Sequence, residues 1–450
     1  MAMDKEYLIR EKPAKALLAF AFPMIVGNLF QQFYTMADSM IVGRFVGEDA
    51  LAAVGASYSL TTVFISIAIG GGVGASVLTS QHFGARQYER MRTSIDTALL
   101  SFLALSLTLA GIGLGFGTQI LQLLNTPENI MADATTYLRI YFLGLPFLFM
   151  YNVLSSVFNS LGKSRIPLYL LIFSSVLNIV LDYVLVRYGH LGVAGVAWAT
   201  LIAQGLSALL SFLILLRQLR EYRQAGSVVC FEGAELGRMA RVALPSILQQ
   251  STVSIGMMLV QSVVNGFGSQ VLAGYTAASR LESFCIVPMA AMGNAISSYT
   301  AQNIGAKRLD RVRSGYRAGY AIVAGFAVLL CVLFEPAPEW FISLFLGEDG
   351  TAAALQTGTA YLRFICWFYV LIGLKMLTDG LLRGARDMVM FTVANMANLF
   401  LRVFVAVVFA PRLGVAMVWY AVPLGWLVNY LISFAQYRTG KWKQKSLQSS

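Results

Sequence analysis

Charge is what this sequence lacks. Of its 450 residues only 12% are Asp, Glu, Lys or Arg, against about a quarter in a soluble globular chain. With 57% hydrophobic residues and a mean hydropathy of +0.68, the shortage excludes a set of soluble domains with polar surfaces. Cysteine is scarce too: Cys230, Cys285, Cys331 and Cys366 are spaced too widely for a disulfide framework or a metal site. The two histidines, His82 and His190, are read as standing alone in loops, which leaves little for metal or nucleophile chemistry. No nucleophile–base or metal-ligand spacing supports an enzyme. The opening MAMDKEYLIREKPAKA carries no small-residue cleavage pattern and reads as a cytoplasmic tail.

What is present is apolar length. Charges cluster between runs of roughly 18–28 apolar residues, enough for a helix to cross a ~30 Å hydrocarbon core. Twelve spans are predicted, at 16–43, 50–80, 93–117, 133–154, 166–186, 193–216, 242–266, 272–302, 316–334, 353–379, 388–410 and 414–436. One alternate set of tails and loops holds twenty-five Lys and Arg, and the other holds three: Arg44, Arg187 and Arg412. The positive-inside rule therefore puts both termini in the cytoplasm of a cell-membrane protein. The net charge of +11 then reflects topology and anionic headgroups rather than nucleic acid.

The sequence also repeats itself. QHFGAR at 81–86 returns as QNIGAK at 302–307, TTYLRIYF at 135–142 as TAYLRFIC at 359–366, and LGVAGVAWA at 191–199 as LGVAMVWYA at 413–421. SLGKSR at 160–165 matches LRGARD at 382–387 in position and basic character, and Pro23 pairs with Pro245. Six spans per half is an even number, so both halves enter the membrane from the same side. The predicted fold is an all-α polytopic membrane protein with twelve transmembrane helices in two six-helix lobes. A pseudo-two-fold along the membrane normal relates them; the N-lobe is 1–222, the C-lobe 223–450, and 217–241 links the two.

Polar residues inside the spans carry the functional reading. Asn28, Gln31, Gln32, Thr35, Asp38 and Ser39 share one face of the first helix. Such a face must line a cavity or a helix interface, and a bare carboxylate there costs roughly 2.5–3.5 kcal/mol on insertion scales. In the fifth span Ser174, Asn178 and Asp182 follow at steps of four. Asn178 and Asp182 can present three oxygens to a proton or to Na⁺, and Thr200 in the sixth span adds a hydroxyl. The C-lobe places Val260 at the position of Asp38 and Arg402 near that of Asp182, so these acids belong to one half only. Glu282 in the eighth span is a candidate for a cationic substrate or a structural ion pair, with Arg280 poorly placed to be its partner. Gln250, Ser254 and Gln261 form a weaker polar line on the seventh. Arg139 and Arg363 read as structural, Asp96 and Asp379 as pairing with cytoplasmic basic loops. AIGGGVGAS at 68–76 reads as close helix packing, not as a phosphate loop. With no Walker motif, an ion gradient is the expected driver.

These motifs together resemble the multidrug and toxic compound extrusion (MATE) family over essentially the whole chain. They are the Pro23-to-Asp38 helix with ADSMIVGR, DALAAVGAS at 49–57, the paired QHFGAR and QNIGAK, YLRI…PF at 137–147, SLGKSRIP at 160–167 and the NxxxD of the fifth span. The resemblance implies a V-shaped two-lobed antiporter that exchanges H⁺ or Na⁺ for organic, mostly cationic, drugs by alternating access. It implies no cofactor beyond the coupling ion, no nucleic acid, and function as a monomer in the lipid bilayer. In the prokaryotic branch with N-lobe aspartates, the coupling roles fall on Asp38, Asn178, Asp182 and Thr200, which would also hold any Na⁺. The substrate pocket maps to Gln31, Tyr34, Asp38, Tyr137 and Asn152. Another branch uses a glutamate in the seventh span, where this chain has Gln249 and Gln250. A flippase for a lipid-linked oligosaccharide shares the architecture, but its pyrophosphate would call for an Arg- and Lys-lined cleft.

Overall fold

The structure, a computed structural model, describes residues 6–41, 45–123, 126–222, 229–346 and 350–443. Among them it contains fifteen helices and no strand. They are α1 (Tyr7–Arg10), α2 (Pro13–Ile41), α3 (Glu48–Gly84), α4 (Tyr88–Leu123), α5 (Glu128–Ser160), α6 (Arg165–Arg187), α7 (Gly192–Arg220) and α8 (Gly233–Asn265). Then follow α9 (Ser269–Gly305), α10 (Leu309–Phe334), α11 (Pro338–Leu346), α12 (Ala352–Cys366), α13 (Tyr369–Gly384), α14 (Met388–Leu413) and α15 (Ala416–Thr439). Helices α12 and α13 make a single span interrupted at Trp367 and Phe368. Eleven spans are long and apolar enough by composition to cross a membrane. The remaining long helix, α9, carries Arg280 and Glu282 and completes the predicted twelve.

The repeated motifs are helix-ending devices. Ala85, Arg86 and Gln87 donate their amides to Gln81 O, Phe83 O and His82 O, and Ala306, Lys307 and Arg308 donate to Gln302 O, Ile304 O and Asn303 O. In both motifs the basic residue takes a left-handed conformation, with φ of 58° at Arg86 and 59° at Lys307. This is a left-handed C-terminal cap, which satisfies carbonyls that a helix end would leave without partners. Helices α3 and α9, which these motifs close, are both 37 residues long, and both start after a glycine of positive φ, Gly47 and Gly268.

Packing divides the chain into two units, one of Met1–Ile25 with Leu248–Ser450 and one of Val26–Ile247. These are called the C-terminal and the N-terminal unit below. The boundaries differ from the expected lobes of 1–222 and 223–450, because they fall inside α2 and α8. Each lies two residues after a member of the proline pair, Pro23 and Pro245, where the ring removes a backbone hydrogen bond and loosens the helix. Local contacts hold each leading segment in place. In the C-terminal unit, Asn303 donates to Leu8 O at 3.1 Å, Arg308 to Ile9 O at 3.2 Å and Arg311 to Glu11 O at 2.5 Å, so the carbonyl end of α1 is clamped by cations. In the N-terminal unit the start of α8 is fixed through Glu235, which accepts from Ser94 at 2.7 Å and lies 2.9 Å from His82 Nε2. His82 therefore sits in the last turn of α3 with an acidic partner, and not alone in a loop.

The glycine run of α3 does what close packing requires. A Cβ at Gly70 would lie 2.6 Å from the Ile247 backbone, and one at Gly74 2.6 Å from Met239 O and 2.9 Å from Ala243 Cβ. Helix α8 thus lies directly on α3, with no room for a side chain between them. Gly74→Val is expected to destabilise the protein by about 1–3 kcal/mol through overpacking. A thermal unfolding curve of the purified variant that matches the native one would refute this contact.

Candidate cation and substrate site

In the N-terminal unit, α6 supplies an acid and an amide one turn apart. Asn178 and Asp182 lie at i and i+4, so both side chains leave the same helix face, and both are buried, Asp182 completely. With the Asn178 amide turned to satisfy its neighbours, its nitrogen donates to Asp182 Oδ2 at 2.9 Å and to the Tyr34 hydroxyl at 3.2 Å. In that orientation its oxygen accepts from the Thr200 amide at 3.1 Å and the Thr200 hydroxyl at 3.2 Å. Three helices, α2, α6 and α7, thereby meet at one asparagine. A buried carboxylate inside a membrane bundle is expensive unless something neutralises it, so the arrangement suits a proton or a small hard cation.

Next to this network runs a crevice between α5 and α7, lined by Tyr137, Tyr141, Leu148, Thr200, Leu201 and Gln204 among others. Thr200 belongs to both, so the network and the crevice share a side chain. The lining is mostly apolar and aromatic, with a few hydroxyl and amide groups. Tyr137 was expected to line the pocket from the sequence; Tyr141 and Gln204 were not singled out, because each is one polar group in an apolar span.

The other expected site residues fall out differently. Asp38 lies in α2, but its side chain is outside the described residues. Gln31 is exposed on the same helix, and Thr35 returns its hydroxyl to Gln31 O at 2.9 Å. Asn152 likewise spends its amide on its own helix, donating to Leu148 O at 2.8 Å. Glu282 is buried in the C-terminal unit, where Tyr361 donates to it at 2.7 Å and Arg402 interacts with its carboxylate. Its partners are therefore internal ones, and Arg280 is not among those seen. Asp379 differs in part from expectation: the charge of Arg383, at the edge of the basic segment, acts on it, but its contacting partner is inside the bundle, Lys375, with Nζ at 3.2 Å.

Long apolar helices throughout the described residues, with a buried acid–amide pair and an aromatic crevice in the N-terminal unit, mark a multi-pass membrane transporter. The MatE family model matches residues 23–184 and again 245–408, two stretches that start 222 residues apart and coincide with the internal repeat. The chain belongs to this family of MATE multidrug efflux transporters. It is 30% identical over 96% of both chains to the probable multidrug resistance protein YpnP of Bacillus subtilis strain 168. It is also 30% identical to the probable multidrug resistance protein YoeA of the same organism, over 99% of both. A crystal structure of MATE in complex with MaL6 superposes with a TM-score of 0.91 at 25% identity, covering 98% of this chain and 100% of the other.

Proposed function

We propose that this chain is a secondary active antiporter that exports organic, mostly cationic amphipathic compounds in exchange for H⁺ or Na⁺ by alternating access. The observation that carries the reading is the Tyr34–Asn178–Asp182–Thr200 network around the buried Asn178 and Asp182, joined through Thr200 to the crevice at Tyr137. Asp38, on the same helix as Tyr34, completes the coupling set. The charge asymmetry of the loops supports a cell-membrane protein with both termini cytoplasmic.

Antiport needs ion and drug to disfavour each other at the site, a negative coupling between two ligands. Thr200 provides it by belonging to both the network and the crevice. With Asp182 ionised and no ion bound, the network's negative charge attracts a cationic drug into the crevice. A proton or Na⁺ on Asp182 removes that charge and draws Asn178, Tyr34 and Thr200 together, which closes the crevice. Pro23 gives α2 the freedom to follow, since its ring leaves one carbonyl without a helical donor. Gln31, Tyr34, Tyr137 and Asn152 are the substrate contacts of this reading, and Glu282 is assigned to an internal ion network.

The deciding experiment is a drug-stimulated H⁺ or Na⁺ flux in proteoliposomes, with pH and Na⁺ varied independently. A flux stoichiometrically linked to drug is expected; drug movement without any ion flux would sink the antiport reading and favour a flippase. Asp38→Asn is expected to fold normally and to lose gradient-driven efflux. Native dye efflux in that variant would remove Asp38 from the mechanism.

A further inference from the structure

The C-terminal unit buries an ion pair that the transport reading does not use. Lys375 and Asp379, one turn apart on α13, are 4% and 2% exposed, with Nζ 3.2 Å from Asp379 Oδ2. Asn395 of α14 closes the site: its oxygen accepts from Lys375 Nζ at 3.2 Å and its nitrogen donates to Asp379 Oδ2 at 3.2 Å. The second carboxylate oxygen accepts from Ser433 of α15 at 2.7 Å, and Gln249 of α8 reaches Asn395 Oδ1 at 3.4 Å. Asn395, Ser433 and Asp379 are themselves buried. Four helices thus converge on this ammonium and carboxylate, and Arg383, one turn further along α13, adds a second positive charge that acts on Asp379.

The donor set is the point of interest. In the N-terminal unit a buried aspartate, an asparagine and a hydroxyl meet as Asp182, Asn178 and Thr200; in the C-terminal unit they meet as Asp379, Asn395 and Ser433. The hydroxyl comes from the sixth span of its half in both cases, α7 or α15. The difference is Lys375. Its ammonium sits where the carboxylate oxygen of Asp379 and the amide oxygen of Asn395 converge, which is the place a small monovalent cation would take. The positions one repeat earlier in the chain, Val153 and Val157, are apolar and fully buried, so the pair is specific to this half.

We propose that Lys375 is a tethered counter-ion that permanently fills a monovalent-cation site in the C-terminal unit, so that this unit goes through the transport cycle without exchanging an ion. An ammonium fixed to the helix neutralises Asp379 at every stage of the cycle, which leaves ion exchange to the N-terminal unit. In this respect the inference rests on the reading of Asp182 as an exchanging site, but the existence of the filled site does not. It also explains the cost of the arrangement: a lysine inside a membrane bundle is retained only where it is paired or functional.

The test is to empty the site. In Lys375→Met the Asp379–Asn395–Ser433 set loses the cation that touches it, keeps only the charge of Arg383 one turn away, and recruits a cation from solution. The unfolding temperature of purified K375M is expected to rise by about 2 °C or more per tenfold increase in free Na⁺ or H⁺ beyond the same series on the native protein. The added response should vanish in K375M/D379N, which has no charge to compensate. A K375M response identical to that of the native protein overturns the proposal, as does a response that D379N leaves in place. Should K375M not be recovered from membranes, ion flux is measured in chains that keep Lys375. Asp182→Asn is then expected to show no drug-coupled H⁺ or Na⁺ flux. A residual flux that disappears on adding Asp379→Asn overturns the tethered counter-ion, whereas one that survives D379N counts against the Asp182 reading instead.

Discussion

Asp182→Asn is expected to yield a folded transporter that no longer uses an ion gradient. The substitution keeps the size and hydrogen-bonding shape of a side chain that is fully buried between α6 and its neighbours. The amide oxygen can still accept from Asn178, so the Tyr34–Asn178–Thr200 contacts persist and stability changes little. What disappears is the negative charge, and with it the affinity for a proton or Na⁺. Coupling free energies of 1–3 kcal/mol correspond to a 5–150-fold change in affinity between sites. Gradient-driven efflux should accordingly fall at least tenfold, and drug affinity of the purified protein, which has lost the attracting charge, should fall by a comparable factor and no longer depend on Na⁺. Efflux assays in everted vesicles and an equilibrium binding titration measure the two. Native efflux by D182N would remove the coupling role, and a collapsed unfolding temperature would mark Asp182 as a structural residue.

Asp182 also shows what kind of feature the sequence could reveal. Asn178 and Asp182 are one turn apart on one helix, so their common face follows from spacing alone, and Thr200 lay one span away in an otherwise apolar setting. The twelve spans and the repeat were legible for a similar reason, since apolar length and a fixed offset of about 222 residues are properties of the chain itself. Pairings between distant helices were not. Glu235 with His82 and Ser94, or Asn303 and Arg311 with the carbonyls of α1, join residues more than a hundred positions apart. Nothing in the local pattern of either partner predicts the other. The change of packing unit within α2 and α8 was hidden as well, because a continuous helix gives no compositional signal where it passes from one neighbour to the next. Lys375 was the missed cue with a readable sign: a lysine between Leu374 and Met376, four residues before an aspartate, in a span too deep for snorkelling to be the default explanation.

The second large effect is expected at Arg402. Its guanidinium interacts with Tyr275 and Glu282, at the heart of a cluster in which Tyr275 stacks on Trp419 at 5.6 Å and Tyr361 lies 4.9 Å from the same indole. Glu282 is buried there, and Tyr361 donates to its Oε2 at 2.7 Å. Arg402→Met leaves a carboxylate among three aromatic rings with its positive partner gone. Arg402 and Glu282 act on each other through charge, so removing the cation costs about 1–3 kcal/mol at an effective dielectric of about 20, and neutralising both sides removes most of that cost. R402M should therefore unfold at lower temperature, and Glu282→Gln combined with R402M should recover most of the loss. Tyr361→Phe, which removes one donor from the carboxylate, is expected to cost about 1–3 kcal/mol. The double-variant arm carries the argument, because a merely bulky role for Arg402 would make the two substitutions additive. If E282Q fails to rescue R402M, Glu282 does not depend on an internal cation, and its carboxylate becomes available to a cationic substrate after all.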